Sequence, residues 1–154
     1  MRFLVGGMCA VAVLASSWGA RAGAINCSPT ELRILSAAGV RNDKASTTFG
    51  NLPHAAITFT QGGRRATCVV VQFSAVAQSG VDRLEIRAVL DGNVIATPPT
   101  TDFASTTTPP AANSYSFVFA SVEPGMHTVQ MQYSSLDGGV VTVKDHVTIV
   151  QFVK

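Results

Sequence analysis

The chain has 154 residues, with 11 basic side chains, 9 acidic ones and three histidines. So few and scattered charges build no field that would recruit nucleic acid or an anionic membrane surface. The length suits one domain around one core.

Residues 1–22 read as a secretory signal peptide. Arg2 precedes an apolar stretch from Phe3 to about Leu14, and Ala20-Arg21-Ala22 fits the pattern of small residues before a cleavage site. The apolar stretch is too short to span a bilayer. Cleavage is expected after Ala22, leaving residues 23–154 as one domain. A lipoprotein signal does not fit, because Ala24-Ile25-Asn26 precedes Cys27. Cys9 and Trp18, the only tryptophan, leave with the signal. So do Arg2 and Arg21, which leaves 9 basic against 9 acidic residues and a formally neutral mature chain. The expected location is outside the cytoplasm, periplasmic or extracellular, with no membrane anchor in the mature chain.

Two cysteines remain, Cys27 and Cys68. In an oxidising compartment an even pair reads as a disulfide. Without a second close pair they are poor zinc ligands.

Ser28–Gly39, "SPTELRILSAAG", reads either as a short N-terminal helix capped at Ser28 or Thr30, or as a first strand on "LRIL". "VRNDKASTTFGNLP" is polar and turn-rich, so a loop is expected. From His54 onward the pattern is all strand. "HAAITFT" runs into Gly62-Gly63, where "TQGGRR" reads as a hairpin turn without phosphate-binding spacing. "ATCVVVQFSAVAQ" (66–78) is a long β-branched run. "DRLEIRAVL" (82–90) sets Leu84, Ile86, Ala88 and Leu90 against Arg83, Glu85, Arg87 and Val89. "DGN" then predicts a hairpin returning through "VIATP". The Thr/Pro-rich stretch 100–113 is expected to be an exposed loop. "SYSFVFASV" (114–122), "MHTVQMQY" (126–133), "VVTV" and "HVTIVQFV" complete the strands. Seven to nine short strands with regular turn signals predict an all-β fold. An antiparallel β-sandwich, immunoglobulin-like or jelly-roll, is preferred to a closed barrel.

The histidines His54, His127 and His146 are the only candidates for imidazole chemistry. If the strands around "SSLDGG" pair as a hairpin, the register that matches apolar positions puts His127 beside Val129 and His146 on the opposite face. His127, opening a strand just after Pro124-Gly125, is therefore expected to be a structural corner whose ring bonds back to nearby backbone. A copper site of Met126, His127 and Met131 is disfavoured, because the two methionines are five apart on an extended chain and face opposite ways. Asp145-His146 suggests a bulge or a solvated face. No nucleophile elbow is present, and paired cysteines supply no thiol. "LDGN" and "LDGG" lack the series of acidic ligands that calcium needs. No catalytic residue, metal site or cofactor is expected.

The segments "VVVQFSAVAQSGVDRLEIRAVLDG" and "SFVFASVEPGMHTVQMQYSSLDGGVV" resemble small exported bacterial β-sandwich domains in which a PG-x-H-x-V segment opens a late strand. The resemblance covers residues 66–152 and implies an immunoglobulin-like or jelly-roll fold, with no catalytic residue or ligand attached. The expected function is a non-catalytic binding module for a protein or glycan, presented on loops 100–113 and 40–51. Only Phe49 and Phe103 lie in those loops, which disfavours a sugar-stacking platform there. The alternative is an assembly subunit, a homo-oligomer pairing through the last strand as a sheet edge.

Overall fold

A computed structural model describes residues 27–80, 82–104 and 107–154, with no side-chain placement at 107 and 108. The predicted signal peptide and its cleavage site lie outside the described residues. Nine strands form: β1 Glu31–Lys44, β2 Gly50–Gln61, β3 Thr67–Ser79, β4 Leu84–Leu90, β5 Val94–Ile95, β6 Thr101–Ala104, β7 Thr107–Val122, β8 Gly125–Ser135 and β9 Val141–Phe152.

They build two antiparallel sheets. One has the order β1-β9-β3-β7. The other runs β2-β8-β4-β5, with β6 also on β4. From β1 to β4, and again from β6 to β9, each connection crosses from one sheet to the other. This is the jelly-roll order of a β-sandwich rather than the immunoglobulin one. The core lies between the sheets. Val69, Val71, Phe73, Phe117 and Phe119 of the four-stranded sheet meet Ile57, Phe59, Leu84, Ile86, Val129 and Met131 of the other.

Several expectations are corrected. Ser28–Gly39 forms no helix; β1 begins at Glu31, and the strand reading of "LRIL" is the one realised. β1 continues to Lys44 and β2 opens at Gly50, so the expected loop shrinks to residues 45–49. The Thr/Pro-rich stretch is mostly strand, β6 and the start of β7, and Phe103 is buried against Phe73. β8 and β9 are not a hairpin: β8 pairs β2 and β4, whereas β9 pairs β1 and β3. β9 is therefore interior to its sheet and offers no edge. "TQGGRR" likewise crosses between sheets. Gly62 is needed there because a Cβ would strike the backbone of Lys154, 2.2 Å from its carbonyl carbon. The hairpin at "DGN" does form, with positive φ at Asp91 (50°) and Gly92 (79°).

Several strands interrupt their alternation, and three of the interruptions, in β2, β9 and β1, lie near one another. Between Asn51 and Ala56, β2 spends three residues more than β8. This keeps both Leu52 and Ala55 inward and lifts His54 to φ 56°. β9 spends one residue more than β3 between Lys144 and Val147, with Asp145 at φ 42°. Its buried series accordingly switches from Val141 and Val143 to His146, Thr148, Val150 and Phe152. β1 bulges beside it at Gly39, φ 70°. The Gly39 N–H donates to Asp145 Oδ1 at 2.6 Å, and His146 Nε2–H donates to the Pro53 carbonyl at 3.1 Å.

A disulfide joins Cys27 to Cys68 across a sequence separation of 41, tying the start of β1 to β3. Replacing both cysteines by serine is expected to lower unfolding free energy by about 3–4 kcal/mol, measured by urea titration. Asp145→Val, which forces a β-branched residue into left-handed backbone and removes the acceptor for Gly39, should cost about 1–3 kcal/mol in the same assay. Asp145→Asn should cost less, because asparagine tolerates that conformation.

Candidate functional site

The two outer faces differ. On the four-stranded sheet, three successive cross-strand rows carry no charge: Leu32, Gln151, Val70, Val118; Ile34, Ile149, Gln72, Ser116; Ser36, Val147, Ser74, Ser114. The outer face of the five-stranded sheet is mostly polar, with Val89 and Ile95 as an apolar pair at its β5 end. Its outward positions come from the polar half of the alternation in β8 and β4, which the sequence shows plainly.

On that face Asn51, Gln132 and Arg87 sit side by side on β2, β8 and β4. Arg87 Nε–H donates to Gln132 Oε1 at 2.8 Å, and Gln132 Nε2–H donates to Asn51 Oδ1 at 2.8 Å. The guanidinium carbon of Arg87 lies 4.1 Å from the ring centroid of Phe49, a stacked cation–π contact. The Arg87 η nitrogens and Asn51 Nδ2 make no hydrogen bond among the described residues. They are donors held in place by neighbours that fix the rest of each side chain. One row along, Glu85 accepts from Ser134 Oγ at 3.3 Å, and Arg83 pairs with Asp102 at 2.9 Å. Glu85 and Asp102 are cross-strand partners, each already engaged on one flat surface.

The residues singled out from sequence go elsewhere. His127 sits at the opening of β8. Its Nδ1 is 2.7 Å from Asp91 Oδ2 and its Nε2 is 2.8 Å from the Glu123 carbonyl. Both partners can only accept, so both ring nitrogens donate and the ring is an imidazolium. Burial opposes that charge, but the Asp91 carboxylate and the Glu123 carbonyl outweigh it and hold the His127 pKa above its ordinary value. Met126 is exposed while Met131 is buried, so the three do not converge. His146 is in the other sheet and buried, not solvated as the assumed hairpin register implied. Its Nε2 donates to Pro53, its Nδ1 has no partner among the described residues, and burial pushes its pKa down. His54 is exposed in the β2 bulge. Among the described residues, no three of His, Cys, Asp and Glu gather to hold a metal ion.

Asp82 was not anticipated. Burial of its carboxyl raises the pKa, but the donors around it pull it far below the usual range. Ser135 Oγ–H, Asp137 N–H (2.8 Å) and Gly139 N–H (3.0 Å) donate to Oδ2, and Arg83 N–H donates to Oδ1. It organises the β8–β9 crossing. An aspartate just ahead of a strand carries no sequence signal for donors some fifty residues away.

No protein-family model matches the chain, and no curated protein matches it in sequence. Among solved structures it is similar to part of dimeric latent PorU from Porphyromonas gingivalis, with TM-score 0.51 and 13% identity over 86% of this chain. It spans 13% of that chain. The infectious bursal disease virus VP2 subviral particle gives TM-score 0.49 and 12% identity, over 79% of this chain and 32% of the other. The C-terminal CBM6 of LamC, a marine laminarinase from Zobellia galactanivorans, gives 0.41 and 13%, over 77% and 98%. At such identities the likeness concerns the fold alone.

The two buried or paired histidines titrate in opposite senses. The unfolded chain binds a proton at His146 near pH 6.5 that the folded chain refuses, so this group makes stability fall as pH drops below about 6.5. His127 contributes stability below pH 6.5 that is lost as pH rises through its raised folded value. His127→Gln should therefore lower the melting temperature at pH 6 more than at pH 9. The loss at pH 6 should stay below about 1 kcal/mol, because Asp91 is partly solvated. His146→Gln should lower it at both and flatten the acid limb between pH 7 and 5.

Proposed function

We propose that the protein is an exported, non-catalytic binding module that holds a glycan against the outer face of its five-stranded sheet. The observation that carries this is the Asn51–Gln132–Arg87 row with Phe49 stacked on the guanidinium. A sugar ring offers vicinal hydroxyls that accept from a guanidinium and an amide, and a CH face that packs on a flat ring. Here the row lies on strands, so its donors are fixed before the ligand arrives and little ordering cost remains. The Cys27–Cys68 disulfide supports export to an oxidising compartment.

The non-catalytic part rests on what the reactive groups are already doing. Asp82 is saturated by donors, His127 is ion-paired and His146 is sealed in the core. Glu85 and Asp102 stand beside each other on an open surface, whereas glycosidic cleavage needs carboxyls on both sides of a bond within a cleft.

Titration calorimetry against a panel of neutral and acidic polysaccharides is the test. Binding is expected for at least one class, and Arg87→Ala and Phe49→Ala should each weaken it by about tenfold or more at unchanged fold. Binding that survives Arg87→Ala, or no binding across the panel, ends the reading.

A further inference from the structure

The edges of the two sheets are not equally protected. Sheet edges present unpaired backbone groups, and stable proteins blunt them with prolines, bulges, short strands or a covering segment. β2, the edge of the five-stranded sheet, is broken by its bulge at Pro53-His54. On the opposite side of that sheet β5 and β6 are only 2 and 4 residues long. β7 carries Pro109-Pro110 and is bridged by Thr97 at Val118. β1 differs. From Glu31 to Ala37 it pairs with β9 in unbroken register, contains no proline or bulge, and pairs with no second strand among the described residues. Its outward side chains Leu32 and Ile34 are 56% and 60% exposed, and they begin the uncharged rows that cross the whole sheet.

We propose that residues 28–36, the start of β1 and the three residues ahead of it, pair antiparallel with the same residues of a second copy of this chain about a twofold axis at Leu32, with Pro29 of each opposite Leu35 of the other, joining two four-stranded sheets into one of eight strands. The charge pattern selects the occupant and the register. An axis at Leu32 sets Glu31 of each copy opposite Arg33 of the other, two identical ion pairs from one symmetric contact. Moving the axis to Arg33 places arginine against arginine, which is destabilising. Moving it to Ile34 leaves Glu31 and Arg33 facing Ala37 and Leu35, so Arg33 gains no partner and Glu31 keeps only the Lys154 ammonium of its own copy, 3.9 Å away. Leu32 packs on its own copy at the axis, and Ile34 faces Thr30. The uncharged rows then run unbroken from one protomer to the other. This face is on the other side of the sandwich from the row assigned to glycan, so the two proposals stand separately.

The test is sedimentation velocity over a wide concentration range, with hydrogen exchange read at residues 31–37. A reversible dimer is expected, with β1 amides protected more strongly as concentration rises. Arg33→Glu, which opposes like charges at both ends of the contact, should weaken association by about tenfold or more. The double swap Glu31→Arg with Arg33→Glu should restore it. Both side chains are exposed, so unchanged circular dichroism is expected; should Arg33→Glu misfold, Glu31→Arg reads the same contact from the other side. A monomer at every concentration overturns the proposal. So does a dimer indifferent to the charge reversal, or one that the double swap fails to restore.

Discussion

The space between the two sheets accepts one side of every strand, and that constraint governs the rest of the molecule. A strand of strict alternation keeps its apolar series inward only while the sequence keeps the phase. Three strands here, β2, β7 and β9, lose phase part-way. In each, an odd number of extra residues restores it: three in β2, one in β7 between Phe119 and Val122, and one in β9. In β2 and β9 the inserted residues take left-handed backbone at His54 and Asp145, with Gly39 in the same conformation on β1. They sit together because β9 lies beside β1 in its sheet and its inner face looks toward β2. Asp145 holds Gly39, and His146 holds Pro53. The bond from His146 joins one sheet to the other, so a polar side chain in an apolar interior is anchored where the backbone of β2 has been turned away from its own ladder.

This explains which parts were legible. Alternation within β4 and β8 was read correctly because neither contains a bulge: Leu84, Ile86, Val129 and Met131 are all buried. In β9 the bulge suggested at Asp145-His146 does form, but the hairpin register used to place His146 carried one period across it. His146 was placed outward on a register that the strand abandons one residue earlier. Connections were the other failure. "DGN" closes three residues between paired strands and forms a hairpin. "GGRRA" and "LDGGV" contain the same turn residues, leave five between their strands and cross to the opposite sheet. Neither composition nor spacing separates those two outcomes, because Glu123-Pro124 makes the same crossing with two residues.

The polar row on the five-stranded sheet was hidden for a further reason. Phe49 and Asn51 come from a segment read as loop, Arg87 and Gln132 from the solvent side of strands, where polar residues are ordinary. What makes them a site is lateral: adjacent strands bring an aromatic ring, a guanidinium and two amides within bonding distance at residues widely separated in sequence. Strand order is a global property, so no local window of sequence contains it.

The jelly-roll order also separates two kinds of surface that a simple meander would mix. Because successive strands cross between sheets, β1, β3, β7 and β9 collect on one side and β2, β4, β5, β6 and β8 on the other. The outward positions of the first set are Leu, Ile, Val, Ser and Gln in three full rows; those of the second include Arg, Glu, Asp and Asn. The histidines show the same division in chemical state. His127, at the rim of the polar sheet, is held charged by an aspartate and a carbonyl. His146, between the sheets, is held neutral by burial, its one donated proton committed to backbone. Residue type alone settles neither role; the strand that carries each ring, and the neighbours which topology assigns to that strand, do.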